Sequence, residues 1–300
     1  MLAIVVPYYK YTFFETTLKS LANQTNKNFK VYIGDDCSTE NPMNLLEKYK
    51  SQIDFVYQKF DNNLGKNSLV QHWERCLNLS DAEEWFVILG DDDVLADNYI
   101  ESFYNNIPIF SQEYNVVRFA SCNIDENGKQ TSILFQNPVI ESSVDFFFKE
   151  RRSSLSEYVF NKKKASETGF KDFPLAWCTD ILAVLEISDF GNVYTINDSI
   201  AYIRVSDKSI SGNKKLDKLK SQAAFDFLHY LLVLDKEVFN TFQRNELLKE
   251  IKGIYINDKK NINFFLRLSN YFVIRFLFQE YFNFLKQIFR SLNKSAKSGK

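Results

Sequence analysis

Trp85-Phe86-Val87-Ile88-Leu89-Gly90-Asp91-Asp92-Asp93 is the stretch on which the reading of this chain turns. Five apolar residues end on a glycine and three carboxylates. A continuous apolar run of this length, stopped by a turn residue, predicts a strand buried on both faces. Carboxylates gathered at the end of such a strand repel one another unless a cation or hydrogen-bond donors relieve them. Adjacent acids in that place suit a hard divalent ion, Mn2+ or Mg2+, with diphosphate oxygens and water completing its shell. The plain alternative is a solvated acidic turn that caps the next helix.

The flanking sequence repeats this punctuation. Residues 2–6 are a short apolar run ended by Pro7-Tyr8-Tyr9, and residues 29–33 run into Gly34-Asp35-Asp36. Between them, Thr12 and Glu15 form a capping-box pattern, with Phe13, Phe14, Leu18 and Leu21 on one helical face. Helices are expected over 45–49, 64–77 and 98–110, an extended segment over 53–57 and a strand over 116–120. This β-α-β-α order predicts an α/β fold with a parallel-rich sheet and helices on both faces. Ligands of such sheets sit beyond the carboxyl ends of the strands, where Tyr9, Asp36 and the three aspartates fall. Asp36 could accept from a nucleobase N–H while Tyr9 stacks on the base; alternatively Asp36 caps the Ser38-Thr39 turn and Tyr9 belongs to the core.

Composition bounds the function classes. The 300 residues are 45% hydrophobic and 25% charged, which excludes a disordered or low-complexity chain. The net charge of −1 gives no global attraction to nucleic acid. Cys37, Cys76, Cys122 and Cys178 are spread singly, with neither metal-finger nor redox spacing, so reduced thiols in a cytoplasmic protein are expected. His72 and His229 are read as structural. No apolar run reaches the ~18 residues of a membrane span, and the first residues read as a strand rather than a signal peptide.

The second half is less regular. Short helices are expected over 144–149 and 155–160, a helix over 180–187, a strand over 199–205, and helices over 216–234, 238–251 and 263–292. A boundary near 215 divides a first domain, 1–215, from a helical region, 216–300. Residues 259–300 carry nine Lys or Arg against the single acid Glu280, opposite in sign to the acidic remainder. On one helix, Ile274, Leu277, Phe278, Tyr281, Phe282, Leu285, Ile288, Phe289 and Leu292 would share an apolar face, with Arg275, Lys286 and Arg290 opposite. Residues 263–300 could then lie on an anionic inner-membrane surface, pack on the chain itself, or form a homodimer.

Val5-Val6-Pro7-Tyr8-Tyr9, Ile33-Gly34-Asp35-Asp36-Cys37-Ser38, Asn62-Asn63-Leu64-Gly65 and Leu89-Gly90-Asp91-Asp92-Asp93, in this order, resemble the nucleotide-sugar-binding motifs of family 2 glycosyltransferases, which have the GT-A fold. The resemblance covers residues 1–120, and more weakly Trp177-Cys178-Thr179-Asp180 and Arg204-Val205-Ser206-Asp207-Lys208. It implies a GT-A domain with a Rossmann-like, mostly parallel sheet and a C-terminal helical extension. It also implies metal-dependent, inverting transfer of a sugar from a nucleoside diphosphate, expected to be a UDP-sugar. The acceptor would be a saccharide or lipid-linked saccharide of bacterial surface-polysaccharide synthesis, such as O-antigen or capsule. The setting would be cytoplasmic, peripheral at the membrane's inner face.

Carried over by position, Pro7, Tyr9 and Asp36 would hold the base and ribose, and Asn63 and Lys66 would line the same site. Asp91 would lie near the ribose. Asp92 would bind the metal, and Asp93 the donor sugar or the metal. Trp177 could stack on a sugar, and Arg204 and Lys208 would face the diphosphate or the acceptor loop. Asp180 falls where the family keeps its catalytic base, although it could equally be a first-turn acid of the following helix; Glu167 and Asp172 are the next candidates. One departure is Gly90, which stands where the family pattern has an acid. A sugar nucleotidyltransferase is disfavoured because no glycine-rich loop follows the first strand. A non-catalytic sugar-nucleotide-binding scaffold is the other alternative.

Overall fold

The computed structural model describes all residues except 151, 208, 235, 236, 299 and 300, and the side chains of 293–298 also lie outside the description. The chain divides into two compact units, Met1–Leu216 and Asp217–Lys300.

The first unit opens with β1 (Leu2–Tyr8), α1 (Phe14–Ala22), β2 (Phe29–Asp35), α2 (Met43–Tyr49), β3 (Phe55–Lys59), α3 (Leu69–Leu77) and β4 (Trp85–Ile88). It continues through β5 (Val94–Leu95), α4 (Tyr99–Phe110), β6 (Val116–Ile124), β7 (Ile140–Ser142) and α5 (Ser143–Lys149). It ends with β8 (Tyr158–Asn161), α6 (Lys162–Thr168), α7 (Thr179–Ile187) and β9 (Asn192–Arg204). Among the described residues the strands form one sheet in the order β3-β2-β1-β4-β8-β6-β9-β5, with β7 on β9.

The four strands β3, β2, β1 and β4 run parallel, so their carboxyl ends share one edge. Chain order reverses across β1, with β2 on one side and β4 on the other. A crevice at such a switch point is where open α/β sheets take their ligands. Tyr8 pairs with Asp35, while Val5 pairs with Ile88, so β4 stops three residues short of the end of β1. The segment after Ile88 is therefore free to turn across the end of β1.

Both faces of this half-sheet are buried, which explains the unbroken apolar runs. Leu2, Ile4, Val6 and Tyr8 of β1 enter one core with Trp85, Val87 and Leu89, while Ala3 and Val5 enter the other with Phe86 and Ile88. Each large side chain so enclosed stabilises the fold by about 1.5–3 kcal/mol.

Two expectations change here. The segment 155–160, expected to be helical, is a single 3₁₀ turn, Leu155–Glu157, followed by strand β8. β8 lies antiparallel between β4 and β6 and gives the sheet a mixed rather than mostly parallel character. A short apolar run does not distinguish the two conformations; pairing with Trp85, Phe86 and residues 116–118 decides it.

The second unit contains α8 (Asp217–Val233), α9 (Thr241–Asn257), α10 (Ile262–Ile274) and α11 (Phe278–Ser298). The helix expected over 263–292 is thus two helices. Phe276 adopts a left-handed φ of 54° between them, and Leu277 N–H returns to Phe272 O at 2.8 Å. Phe272 then stacks on Tyr281, and Lys259 Nζ reaches Ser291 O, so α10 and α11 form an antiparallel hairpin. Its inner side buries Phe284 against Phe272 and Tyr255.

Candidate active site

The turn after β4 is tied to the end of β1. Asp91 Oδ2 accepts from the backbone N–H groups of Tyr9 at 2.8 Å and Lys10 at 2.7 Å. Thr17, on α1, donates from its hydroxyl to Asp93 O at 2.8 Å. Tyr9 itself keeps a half-exposed ring, and its carbonyl accepts from Ser38 Oγ at 2.7 Å. The three strand ends that the sequence analysis singled out are therefore joined by hydrogen bonds.

Asp35 and Asp36 are both buried but face different partners. Asp35 accepts from Ser38 N–H at 2.7 Å and from the Tyr57 hydroxyl at 2.6 Å. Asp36 accepts from the N–H groups of Leu64 at 2.8 Å and Gly65 at 2.9 Å, and pairs with Arg75. The Asn63-to-Lys66 segment is thereby folded onto the end of β2, with Asn63 Oδ1 accepting from Lys66 N–H. Only glycine fits at 65, because a Cβ there would lie 2.6 Å from Asp36 Oδ2. Burial lowers His72, beside Arg75, to about 4, so its imidazole is neutral and Nδ1 accepts from Arg75 Nε.

Arg204 is engaged by the protein itself. It is buried, and its guanidinium donates to Asp92 O at 2.8 Å, to Asp125 O at 2.5 Å and to Thr16 Oγ1 at 3.3 Å. Its own N–H donates to Asp93 Oδ1 at 2.8 Å. The arginine holds the aspartate turn from behind.

The segment 152–157, only weakly patterned in sequence, supplies residues that sequence reasoning missed. Ser156 Oγ accepts from Gly90 N–H at 3.1 Å and donates to Asp93 Oδ2 at 2.5 Å. Glu157 is buried, accepts from Ser121 Oγ at 2.7 Å and pairs with Arg152. Its only advance signal is a carboxylate directly before the apolar run Tyr158-Val159-Phe160. Burial raises the Glu157 carboxyl, with Arg152 opposing and Asp180 adding a smaller push upward.

Asp180 sits in the first turn of α7. The chain reaches it through left-handed residues at Leu175 (φ 61°), Ala176 (φ 50°) and Cys178 (φ 70°), with Trp177 between them. Such conformations cost about 1–3 kcal/mol each outside glycine, and they cluster where a side chain must be aimed. Burial raises the Asp180 carboxyl above its ordinary range, with the N–H of Ile181 opposing. Pro7 occupies β1 opposite Gly34, and Lys66 is exposed. Lys208 lies outside the described residues.

Charge at the aspartate turn is under-compensated. Burial, then the neighbouring Asp92, pushes Asp91 up to about 7 and Asp93 up to about 8. Burial also raises Asp92, against the attraction of Lys10 and Arg204. Asp91 and Asp93 are engaged by protein donors, whereas among the described residues Asp92 receives no hydrogen bond from another residue. A Cβ on Gly90 would lie 3.0 Å from both Asp92 Oδ1 and Asp93 Oδ2, so glycine leaves room for those two carboxylates where an acid would crowd them. No three His, Cys, Asp or Glu side chains among the described residues are arranged to hold a metal alone. That donor set fits a Mg2+-like ion, which takes one or two carboxylates and completes its shell with substrate phosphates.

Residues 3–169 match the family described as glycosyl transferase family 2. Comparison with curated proteins gives no match. Among solved structures, Staphylococcus aureus TarS aligns with a TM-score of 0.62 at 16% identity, covering 85% of this chain and 43% of TarS. This chain therefore spans less than half of that protein. TarS 1-349 in complex with UDP-GlcNAc aligns at 0.61 and 15% identity, covering 85% of this chain and 72% of that one. The mannosyltransferase PcManGT of Pyrobaculum calidifontis, in complex with GDP-Man and Mn2+, aligns at 0.58 and 12% identity, covering 100% and 88%. At these identities the likeness shows the fold, which is the GT-A arrangement with a C-terminal helical region.

Proposed function

Because the chain belongs to glycosyl transferase family 2, we propose that it transfers a sugar from a nucleoside-diphosphate donor to a hydroxyl acceptor by single displacement with inversion. The observation that carries this reading is the aspartate turn itself: acids at the end of a buried parallel strand, short of positive charge and hydrogen-bonded to the strand end that carries Tyr9. TarS with UDP-GlcNAc and PcManGT with GDP-Man support the donor class. A UDP-sugar donor and a saccharide or lipid-linked saccharide acceptor, as in surface-polysaccharide synthesis, are the finer reading.

In this proposal Tyr9 and Pro7 flank the base at the end of β1, and Asp36 offers its remaining acceptor capacity to a base N–H. Asn63 and Lys66 border the same site. Asp91 lies nearest the ribose, fixed by Tyr9 and Lys10. Asp92 is the principal metal acid. Asp93, engaged by Ser156 and Arg204, keeps the turn in shape and borders the donor sugar. Arg204 is a positioning residue. When bound, Mn2+ or Mg2+ supplies positive charge against the diphosphate oxygens.

Asp180 then acts as base. Its carboxylate takes the proton of the acceptor hydroxyl as that oxygen bonds to the anomeric carbon. The bond from this carbon to the diphosphate oxygen breaks, and the nucleoside diphosphate departs with the electron pair. Trp177, beside Asp180, offers a ring face to a sugar. Titration calorimetry with UDP, GDP and dTDP, each with and without Mn2+, tests the proposal. Metal-dependent heat with one of them is expected; no heat with any would overturn it.

A further inference from the structure

Among the described residues, the outer face of α11 is exposed. Phe278, Phe282, Leu285, Phe289 and Leu292 are spaced by four, three, four and three residues, which places them in one stripe along the helix. All five are exposed, Phe289 by 67%. Phe284, on the opposite side, is fully buried. The stripe spans about 20 Å. Phe276, 79% exposed in its left-handed turn, extends it through a ring contact with Phe278.

The charges beside this stripe have one sign. Lys286 lies over the Phe282 ring at 4.3 Å, Arg290 follows one turn later, and Arg275 precedes the turn. Glu280, the single acid of 259–300, faces Lys252 of α9 at 3.8 Å. A two-fold contact between copies would set each basic stripe against itself. An anionic surface has the complementary sign, and bulky aromatics with a basic border are what a helix lying in a lipid interface presents. No helix among the described residues is long and apolar enough to cross a membrane.

We infer that α11 docks the protein on an anionic lipid bilayer, lying in the interface with Phe276, Phe278, Phe282, Leu285, Phe289 and Leu292 inserted among the acyl chains and Lys286 and Arg290 at the headgroups. The inference is independent of the catalytic assignment and holds whatever the acceptor is.

The test is co-sedimentation of the full chain with phosphatidylcholine vesicles and with equimolar phosphatidylcholine–phosphatidylglycerol vesicles, over a salt series. Binding to the anionic vesicles, weakening with salt, is expected. Phe282→Ser/Phe289→Ser should abolish it, and Lys286→Glu/Arg290→Glu should weaken it by more than about tenfold. These side chains do not pack inward, so unfolding midpoints should match the parent. Absence of binding to anionic vesicles overturns the proposal. So does binding that ignores both pairs of substitutions, or a dimer in sedimentation velocity that the Phe282→Ser/Phe289→Ser change dissolves while vesicle binding persists.

Discussion

Asp93 and Arg204, 111 residues apart, are joined by a 2.8 Å hydrogen bond from the Arg204 N–H to Asp93 Oδ1. The Arg204 guanidinium meanwhile donates to Asp92 O. The last residue of the last strand therefore fixes the turn that the first half of the chain presents, and among the described residues the Asp92 carboxylate keeps no donor from another residue. This arrangement separates two kinds of acid, one structural and one available.

The two aspartates should consequently fail in different ways. Asp92→Asn is expected to keep the unfolding midpoint and lower metal-dependent nucleoside-diphosphate affinity by about tenfold or more. Asp93→Asn places an amide N–H against Ser156 or Arg204 N–H and should cost about 1–3 kcal/mol of stability. Calorimetry with Mn2+ and thermal unfolding distinguish them; equal losses in both measurements would contradict the division.

Asp180→Asn should spare donor binding and slow transfer by on the order of 10²–10⁴-fold. Because burial raises the Asp180 carboxyl, the acid limb of the rate profile should lie above the ordinary carboxylate range. Below that limb the carboxyl is protonated and cannot accept the hydroxyl proton. Normal turnover by the variant, measured with a donor identified by calorimetry, would remove Asp180 as base.

Ser156→Ala removes the bridge between Gly90 N–H and Asp93 Oδ2. A loss of about 1–3 kcal/mol is expected, with weaker metal-dependent binding. Ser156→Thr keeps the hydroxyl and should recover most of the binding. A denaturant titration paired with calorimetry reads both effects.

Gly65→Ala should cost about 1–3 kcal/mol, because the new Cβ meets an Asp36 carboxylate that Arg75 and Leu64 N–H hold in place. Relief of the contact moves the 62–66 loop, so nucleoside-diphosphate affinity should fall alongside the unfolding midpoint. Unchanged affinity would detach this loop from the site.

His72 gives a pH signature of stability. Its folded value of about 4 lies below the unfolded 6.5, so the unfolded chain binds the proton first. The stabilisation is present above pH 6.5 and is lost as pH falls toward about 4. His72→Gln should flatten the denaturant midpoint across that window.

Much of the fold was legible because β1, β2 and β4 are enclosed on both faces and so carry unbroken apolar runs. Asp36, Asp91 and Asp92 were legible because chain order and strand ends place them on one edge. The helical hairpin was not, since nothing in the period of 263–292 marks Phe276 as left-handed; burial of Phe284 on one side of the turn imposes it.

The sequence by itself determined the parallel strands, the edge where their acids gather and the opposite charge of the tail. Only the tertiary structure decided that Arg204 donates to the backbone of the aspartate turn, that Ser156 bridges Gly90 and Asp93, and that Glu157 pairs with Arg152. The physical reason is that periodicity records which faces are buried. Pairing between a carboxylate and a donor a hundred residues away depends on register and burial, and neither leaves a local pattern.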